Sequence, residues 1–263
     1  MHILIDIGGT NTRIARADDN QSFGEPAIFS TPQNFDEWFM VAIRHIDTLA
    51  HGEHITSIIA GMAGIFSHDH AVIHSSPHLP GWQGINLQEK LGGWFNCEAH
   101  IENDTALVGL GEATFGAGKG YDIVVYITIS TGVGGVRIVN GTIDKNKFGF
   151  EIGHQIINED KELEYYLAGS SHEKRFGMPS RDIKDKEFWK EVTHYAGILA
   201  ANTTMYWSPS AIVFGGPVMN DLNLEDIKEE SEKYLKMYEQ KPVFLHASLK
   251  NLGGLYGALA KVI

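Results

Sequence analysis

The chain has 263 residues, 43% of them hydrophobic, which is enough to bury a core in one large domain or in two smaller ones. Its formal net charge of -12 argues against a nucleic-acid-binding surface, which needs clustered Lys and Arg, and its single cysteine, Cys97, excludes a disulfide framework within the chain. No apolar run approaches the length of a membrane span and no basic, cleavable leader precedes Ile3, so we expect a cytoplasmic protein without a membrane partner.

The first half of the chain predicts strands and helices in alternation. Short apolar runs predict strands at residues 3–7, 12–17, 55–62, 71–73 and 98–101. Apolar residues at helical spacing predict helices at residues 35–50, 87–95 and 105–114. A glycine-rich break at residues 116–120 follows.

The second half begins as the first one does. A strand at residues 122–129, a Gly/Thr-rich turn at 130–135 and a strand at 136–139 repeat the order of residues 3–17. Helices are predicted at residues 162–168, 185–207, 224–236 and 253–262, with a strand at 211–214. This pattern indicates an α/β protein with two lobes around a central cleft: a small lobe at 1–118 plus 252–263, and a larger lobe at 119–251.

Each half carries a turn suited to a phosphate, because glycines let several backbone N–H groups approach one anion and a Thr hydroxyl adds a donor. One such turn alone is more often a plain hairpin, but one in each half favours the phosphate interpretation. Asp6, at the end of its strand, is placed to hold a hydrated Mg²⁺ beside the phosphates. Neither turn is a Walker loop or a dinucleotide fingerprint. The candidate phosphate-binding residues are Gly8, Gly9, Thr10, Asn11, Thr131 and Gly132.

Three further polar clusters each have a plain and a functional interpretation. Asp104, after Asn103, is either a helix N-cap or a base that accepts a hydroxyl proton during phosphoryl transfer. Glu151 and His154 form either a solvated turn or a pair that converges on a polar ligand. Gly215-Gly216 is either a strand-to-loop turn or a place where a flat ring lies against the backbone.

Taken in order, these motifs resemble the ROK family of sugar kinases over essentially the whole chain. Six segments carry the resemblance: 6–11 to the first phosphate motif, 79–82 (Leu-Pro-Gly-Trp) to a glucokinase loop, 102–104 with 111–112 to the catalytic segment, 130–135 to the second phosphate motif, 151–154 to the sugar-binding Glu-x-Gly-His, and 212–218 to the adenosine motif.

The resemblance implies an actin-like, ribonuclease H-like ATPase fold that binds ATP with Mg²⁺ and a hexose, often as a homodimer. It implies that Asp104 is the general base that activates the sugar 6-hydroxyl, and that Gly215 and Gly216 contact the nucleotide. The remaining sugar-binding residues that it implies are Gly64, Asn103, Glu151, His154 and Glu164.

Two departures from the family pattern concern the sugar site. The family usually follows Gly-His with a zinc-binding cysteine cluster, whereas residues 155–161 contain no cysteine. We therefore expect no structural zinc, with Glu164 still reaching the sugar. Phe150 stands where the family usually has a small residue.

The sequence therefore predicts an ATP-dependent hexose kinase, with glucose as the first candidate substrate. N-acetylmannosamine, fructose or another hexose remain alternatives, as does polyphosphate as the phosphoryl donor. A non-catalytic sugar-sensing protein is the alternative of a different class.

Overall fold

The computed structural model describes residues 1–67, 72–76, 78–158 and 160–262. In these residues the strands are β1 (His2–Ile7), β2 (Asn11–Ala17), β3 (Ala27–Ser30), β4 (Ser57–Met62), β5 (Ile65–Phe66), β6 (Ile73–Ser75), β7 (Glu98–Asn103), β8 (Ile123–Ile129), β9 (Val133–Val139), β10 (Thr142–Ile143), β11 (Ile156–Asn158), β12 (Lys161–Glu162), β13 (Ala211–Gly215) and β14 (Val243–His246). The helices are α1 (Phe35–Ala50), α2 (Leu87–Phe95), α3 (Asp104–Thr114), α4 (Leu163–Leu167), α5 (Gly169–Phe176), α6 (Lys186–Trp207), α7 (Leu224–Glu232) and α8 (Gly253–Ala260). No helix in the described part of the chain is both long enough and apolar enough to cross a membrane.

The chain divides into two compact units, each built on a five-stranded sheet. Unit 1 comprises residues 1–111 and 249–263, and unit 2 comprises residues 112–248. The sheet of unit 1 has the order β3-β2-β1-β4-β7, and that of unit 2 has the order β10-β9-β8-β13-β14. In both sheets the first three strands are antiparallel and the last two run parallel to the central strand. The two halves that the sequence predicts therefore share the same order and direction of strands in their sheets.

Strand register in unit 1 brings the predicted chemistry to one edge of the sheet. Ile7 of β1 is in register with Met62 of β4, which in turn is in register with Asn103 of β7. Because these three strands are parallel, their carboxyl ends meet at the same edge. Asp6 lies one residue before this level and Asp104 one residue after it.

A buried aromatic cluster in unit 1 fixes the loop at residues 78–82. Trp82 is fully buried, its ring lies 4.8 Å from that of Trp38, and its indole N–H donates to the Gln33 carbonyl over 3.2 Å. Trp38 in turn donates to the Thr12 hydroxyl over 3.0 Å. The tryptophan of the Leu-Pro-Gly-Trp motif therefore anchors its loop in the core and to β2.

Unit 2 encloses a core between its sheet and α6. The Asp185 side chain caps α6 by accepting from the Glu187 N–H over 2.9 Å, and the helix packs against α4 and α7. Glu112, which is 1% exposed, accepts from the Ala117 N–H over 2.9 Å and from the Ser248 N–H over 2.8 Å. The resemblance places Glu112 in the catalytic segment. In the structure its carboxylate links the first residues of unit 2 to Ser248, the last residue of that unit.

Several element boundaries differ from the sequence-based predictions. The helix predicted at residues 162–168 is α4, and α5, which the sequence analysis does not predict, follows it after the extended residue Ala168. The strand predicted at 136–139 begins at Val133, and the helix predicted at 224–236 ends at Glu232. Of the strand predicted at 71–73, Ala71 lies outside the described residues, as does Glu159 of the segment at 155–161.

Candidate active site

The first glycine-rich turn joins β1 to β2 as a hairpin, and Thr31 donates hydrogen bonds to two of its carbonyl groups. The Gly8 N–H donates to the Asn11 carbonyl over 3.0 Å, which closes the turn. The Thr31 hydroxyl donates to the Gly8 carbonyl over 2.7 Å, and the Thr31 N–H donates to the Thr10 carbonyl over 2.9 Å. The turn is therefore a hairpin whose backbone is fixed by hydrogen bonds, and this structure is compatible with phosphate binding.

Asp6 and Arg13 face each other across that hairpin. Asp6 is in register with Arg13 of β2, and the guanidinium Nη1 donates to the Asp6 carboxylate over 3.3 Å. Burial raises the pKa of Asp6 to about 6, the Arg13 charge opposes the rise, and the charge of Asp104 adds to it. Arg13 is absent from the predicted site, although the register of the predicted hairpin places it opposite Asp6.

Asp104 and Asn103 occupy the junction between β7 and α3. The side-chain oxygen Oδ1 of Asn103 accepts from the Ala106 N–H over 3.1 Å, so Asn103 caps the helix, and its side-chain NH₂ donates to the Gly64 carbonyl over 3.4 Å. The Asp104 carboxylate accepts from the Thr105 N–H over 2.7 Å. Asn103 is therefore the residue that caps α3. Asp104 is the first residue of the helix, and its second carboxylate oxygen, Oδ2, takes no part in the hydrogen bond from the Thr105 N–H.

Burial raises the pKa of Asp104 above its ordinary range. Two hydrogen bonds from Thr105 and the nearby His78 oppose this rise. His78 belongs to the loop before Leu79-Pro80 and also packs against the first glycine-rich turn: a Cβ added at Gly9 would lie 2.5 Å from the His78 Cβ. The sequence analysis did not single out His78, since a lone histidine in a loop carries no recognisable pattern.

Asp6 and Asp104 form a like-charged pair at the edge of the unit 1 sheet. Each has a raised pKa, and the negative charge of Asp104 contributes to the rise in the pKa of Asp6. A divalent cation relieves this kind of repulsion, and oxygen ligands are those that Mg²⁺ prefers. The residues present therefore fit an Mg²⁺ bound on the Asp6 side. In the described ranges, no group of three or more His, Cys, Asp and Glu side chains is arranged to hold a metal ion.

The second glycine-rich turn, in unit 2, is tied to α4 and α5. The Val133 N–H donates to the Glu164 carboxylate over 2.8 Å. The Ser170 hydroxyl donates to the Thr131 carbonyl over 2.7 Å, and the Gly169 N–H donates to the Ser130 carbonyl over 2.7 Å. A predicted sugar-binding residue, Glu164, therefore also holds the backbone next to Gly132.

Glu151 and His154 lie on either side of a short 3-10 turn over Ile152–His154. The imidazole Nδ1 of His154 is 2.8 Å from the carboxylate of Glu162. This hydrogen bond raises the pKa of His154 against the smaller opposing effect of burial, and the charges of Glu164 and Glu151 add to the rise. Glu162 fixes Nδ1, so Nε2 is the ring nitrogen left to face a ligand.

The turn after β13 requires glycine for its backbone conformation. Gly216 has a φ of +93°, and a Cβ added there would lie 2.3 Å from the Ile129 carbonyl oxygen. Gly215 packs against the ring of Tyr126. The backbone of this predicted adenosine segment is therefore held close to the end of β8.

Both units thus present glycine-rich turns with polar side chains beside them, on sheets with the same order and direction of strands. The ROK family model matches residues 2–263. A fructokinase from Pediococcus pentosaceus is 30% identical over 220 residues, 76% of each chain, and a glucokinase from Streptomyces coelicolor is 24% identical over 303 residues, 97% of this chain and 95% of that one. A solved ROK family glucokinase from Streptomyces griseus, in complex with glucose and AMPPNP, superposes with a TM-score of 0.79 at 23% identity over 99% of this chain and 98% of that one.

The chain belongs to the ROK family. The predicted actin-like α/β fold class and the family resemblance are confirmed. At the level of enzyme class, the chain is a sugar kinase.

Proposed function

We propose that this chain is an ATP-dependent hexose kinase that phosphorylates the sugar 6-hydroxyl, with Asp104 as the general base. One observation carries the proposal: a carboxylate with a burial-raised pKa stands at the carboxyl edge of the parallel strands, beside Asp6 and the first glycine-rich turn. A raised pKa brings a carboxylate closer to the operating pH, where it accepts a proton efficiently.

In the proposed reaction, Asp104 takes the proton of the 6-hydroxyl as that oxygen attacks the γ-phosphorus of ATP, and ADP leaves. Catalysis of this transfer is mostly positioning and charge stabilisation. Backbone N–H groups of Gly9, Thr10 and Asn11 and of Thr131 and Gly132 bind the phosphates, while the Gly8 N–H closes the first turn by donating to the Asn11 carbonyl. Gly8 lets the turn backbone approach the phosphates closely, and Gly215 and Gly216 contact the nucleoside. Asp6 would hold Mg²⁺ through water, and the cation would supply positive charge beside the phosphates.

The hexose is held by hydroxyl contacts to Gly64, Asn103, Glu151, His154 and Glu164. The hydrogen bond between Asn103 and the Gly64 carbonyl supports this grouping, since it joins two of these residues in unit 1. In unit 2, His154, Glu151 and Glu164 interact electrostatically. Glucose is the first candidate because the loop at 79–82 resembles that of glucokinases, while the fructokinase relative makes fructose the next sugar to test.

Three further properties belong to the proposal. The chain uses ATP, as the AMPPNP complex of the similar glucokinase suggests, and it has no structural zinc, because residues 155–161 contain no cysteine. The chain acts as a homodimer in the cytoplasm, by resemblance to the family. We keep residues 1–118 plus 252–263 and residues 119–251 as its proposed domains, with boundaries that lie within seven residues of those of the two compact units.

Formation of the sugar phosphate from glucose, fructose, mannose and N-acetylmannosamine, measured with ATP or with polyphosphate as donor, tests this function. Asp104→Asn is expected to fold, to bind the preferred sugar and to lose about 10²- to 10⁴-fold in kcat, the range for a general base. Asp47→Asn, at an exposed position of α1, is the matched control. Sugar binding without turnover in the unmodified protein would contradict a kinase and favour a sugar sensor. Near-normal kcat in Asp104→Asn would overturn the assignment of the base.

A further inference from the structure

His78 lies on a loop of unit 1 whose flanking residues are anchored. Before it, Ser76 is buried, its hydroxyl donates to the Ala63 carbonyl over 2.8 Å, and its carbonyl accepts from the Leu79 N–H over 3.3 Å. After it, Leu79 and Trp82 are buried in the core of the unit. The His78 side chain itself is exposed, so the loop presents an imidazole to solvent from a backbone that is held on both sides.

The side chain of His78 starts against the first glycine-rich turn. A Cβ added at Gly9 would lie 2.5 Å from the His78 Cβ and 3.0 Å from its Cγ. Gln33 joins the turn to the loop, since its NH₂ donates to the Gly9 carbonyl over 3.4 Å and its carbonyl accepts from the Trp82 indole over 3.2 Å. The imidazole is therefore held beside the backbone that is proposed to bind the phosphates.

The same imidazole acts on the carboxylate of Asp104. Burial raises the pKa of Asp104, and the charge of His78 is among the effects that oppose this rise. Because such an effect weakens with distance, the imidazole lies within electrostatic reach of the proposed base. His78 is thus near both groups that the proposed reaction brings together, the phosphate-binding turn and the carboxylate that accepts the hydroxyl proton.

The imidazole of His78 has no hydrogen bond or ion pair with another side chain in the part of unit 1 that the structure describes. Arg13, the basic side chain on the strand after the turn, is by contrast engaged with the Asp6 carboxylate over 3.3 Å. An N–H of His78 is therefore available as a donor to an anionic oxygen. A γ-phosphoryl group in transfer carries its charge on three non-bridging oxygens, which are acceptors of this kind.

We propose that His78 is a catalytic residue that donates a hydrogen bond to a non-bridging oxygen of the γ-phosphoryl group during its transfer. The inference rests on the proposed function, because it takes Asp104 as the base and the first glycine-rich turn as a phosphate site. The bond between the sugar O6 and the γ-phosphorus forms as the bond from that phosphorus to the bridging oxygen of ADP breaks. The hydroxyl proton goes to Asp104, and His78 transfers no proton.

Steady-state kinetics of His78→Phe and His78→Gln, with the sugar phosphate as the measured product, test the proposal in the full chain. His78→Phe keeps the Cβ and a ring against the turn but removes both nitrogens, whereas His78→Gln keeps an N–H donor. His74→Phe, at an exposed histidine of β6, is the matched control. Circular dichroism checks that each variant folds.

We expect kcat of His78→Phe to fall about 10- to 100-fold, the range for one charge-assisted hydrogen bond, while the KM for ATP and for the hexose stays within threefold. His78→Gln should recover at least tenfold of a 100-fold loss, and His74→Phe should keep kcat within twofold. Binding of ADP with aluminium fluoride and the hexose, which mimics the phosphoryl group in transfer, should weaken by the same factor as kcat in His78→Phe. Binding of ADP alone should not change.

A kcat within twofold of normal in His78→Phe overturns the role of His78, and the kinase function survives if the unmodified protein forms a sugar phosphate. An equal loss of kcat in His78→Phe and His78→Gln, together with a tenfold higher KM for ATP, also overturns it, because His78 would then only support the turn. If the unmodified protein forms no sugar phosphate from any hexose, the kinase function itself is contradicted, and the role of His78 with it.

Discussion

The carboxylate of Glu164 accepts a hydrogen bond of 2.8 Å from the backbone N–H of Val133. A Cβ added at the neighbouring Gly132 would lie 2.8 Å from the same Oε1 atom. Glu164 is thus packed directly against the second glycine-rich turn while belonging to the predicted sugar-binding set. One side chain therefore serves two proposed ligands, the hexose and the phosphates.

This contact predicts that Glu164→Ala weakens both substrates. The lost bond has a charged acceptor, and such bonds contribute about 1.5–3 kcal/mol, so we expect the KM for ATP to rise roughly 10- to 100-fold together with the KM for the hexose. Glu164→Gln keeps an acceptor for the Val133 N–H and should recover most of the ATP affinity. Steady-state kinetics with each substrate varied separately measure both effects, with Glu173→Ala on α5 as the control. An unchanged KM for ATP in Glu164→Ala would show that the contact does not hold the turn.

The second prediction concerns the pH dependence of stability that Asp6 produces. Its pKa rises from 3.8 to about 6 on folding, so between these pH values the folded protein binds more protons than the unfolded chain. Stability therefore falls as pH rises through this window, and the full difference from this carboxyl is about 3 kcal/mol. Ionising Asp6 is therefore unfavourable in the folded state, although the Arg13 charge offsets part of the cost of burying the carboxylate.

Asp6→Asn removes this titration. We expect the free energy of unfolding of the variant, relative to the unmodified protein, to increase by up to about 3 kcal/mol between pH 4 and pH 7. Urea unfolding at four or five pH values measures this difference, and Asp122→Asn, at an exposed position, should show no such trend. A parallel pH dependence in Asp6→Asn and the unmodified protein would contradict a raised pKa at Asp6.

The sequence predicts the sheet interiors well because buried strands leave a local pattern. The apolar runs of β1, β4 and β8 are nearly continuous, as expected for strands buried on both faces. The edge strands β3 and β14 have no fully buried residue and escape prediction. Helix α5 was missed because His172 is its one buried side chain among the residues described, which leaves no apolar periodicity.

For the candidate site, the sequence indicates residues but not the contacts between them. Asp104, Glu151 and Glu164 are proposed from motifs, whereas the bond between Glu164 and Val133 spans 31 positions and depends on how α4 packs against β9. His78 is not indicated by the sequence for the same reason, since its proximity to Gly9 and its electrostatic effect on the pKa of Asp104 arise only in the folded unit. Sequence patterns identify which side chains are available, and tertiary packing decides which of them meet.

The third prediction concerns Glu162, which the sequence analysis did not place in the site. Its carboxylate lies 2.8 Å from the His154 Nδ1 and is the main cause of the raised pKa of that imidazole. Glu162→Gln should therefore lower the pKa of His154, as followed by NMR titration of the imidazole protons. The pH at which the KM for the hexose changes should move in the same direction. Glu98→Gln, at the carboxylate that pairs with His100 over 3.1 Å, is the control and should leave His154 unaffected.

The last prediction tests the contact between Gly9 and His78 in the first glycine-rich turn. In Gly9→Ala the new methyl group would lie 2.5 Å from the His78 Cβ, so the turn or the loop at residues 78–82 must shift. Because Trp82 anchors that loop in the core, we expect a loss of about 1–3 kcal/mol in stability and a higher KM for ATP. Gly93→Ala is the matched control in unit 1: it meets no atom within 4 Å and lies in α2, so it should add about 0.5–1 kcal/mol.

The double variant Gly9→Ala with His78→Gly separates steric overlap from a general intolerance of the turn to side chains. Removing the His78 Cβ clears the space, so the double variant should recover the ATP affinity that Gly9→Ala loses, beyond the sum of the two single effects. Thermal unfolding and steady-state kinetics of the four proteins complete the cycle. Strictly additive effects would show that the turn and the loop at residues 78–82 are not coupled through this contact.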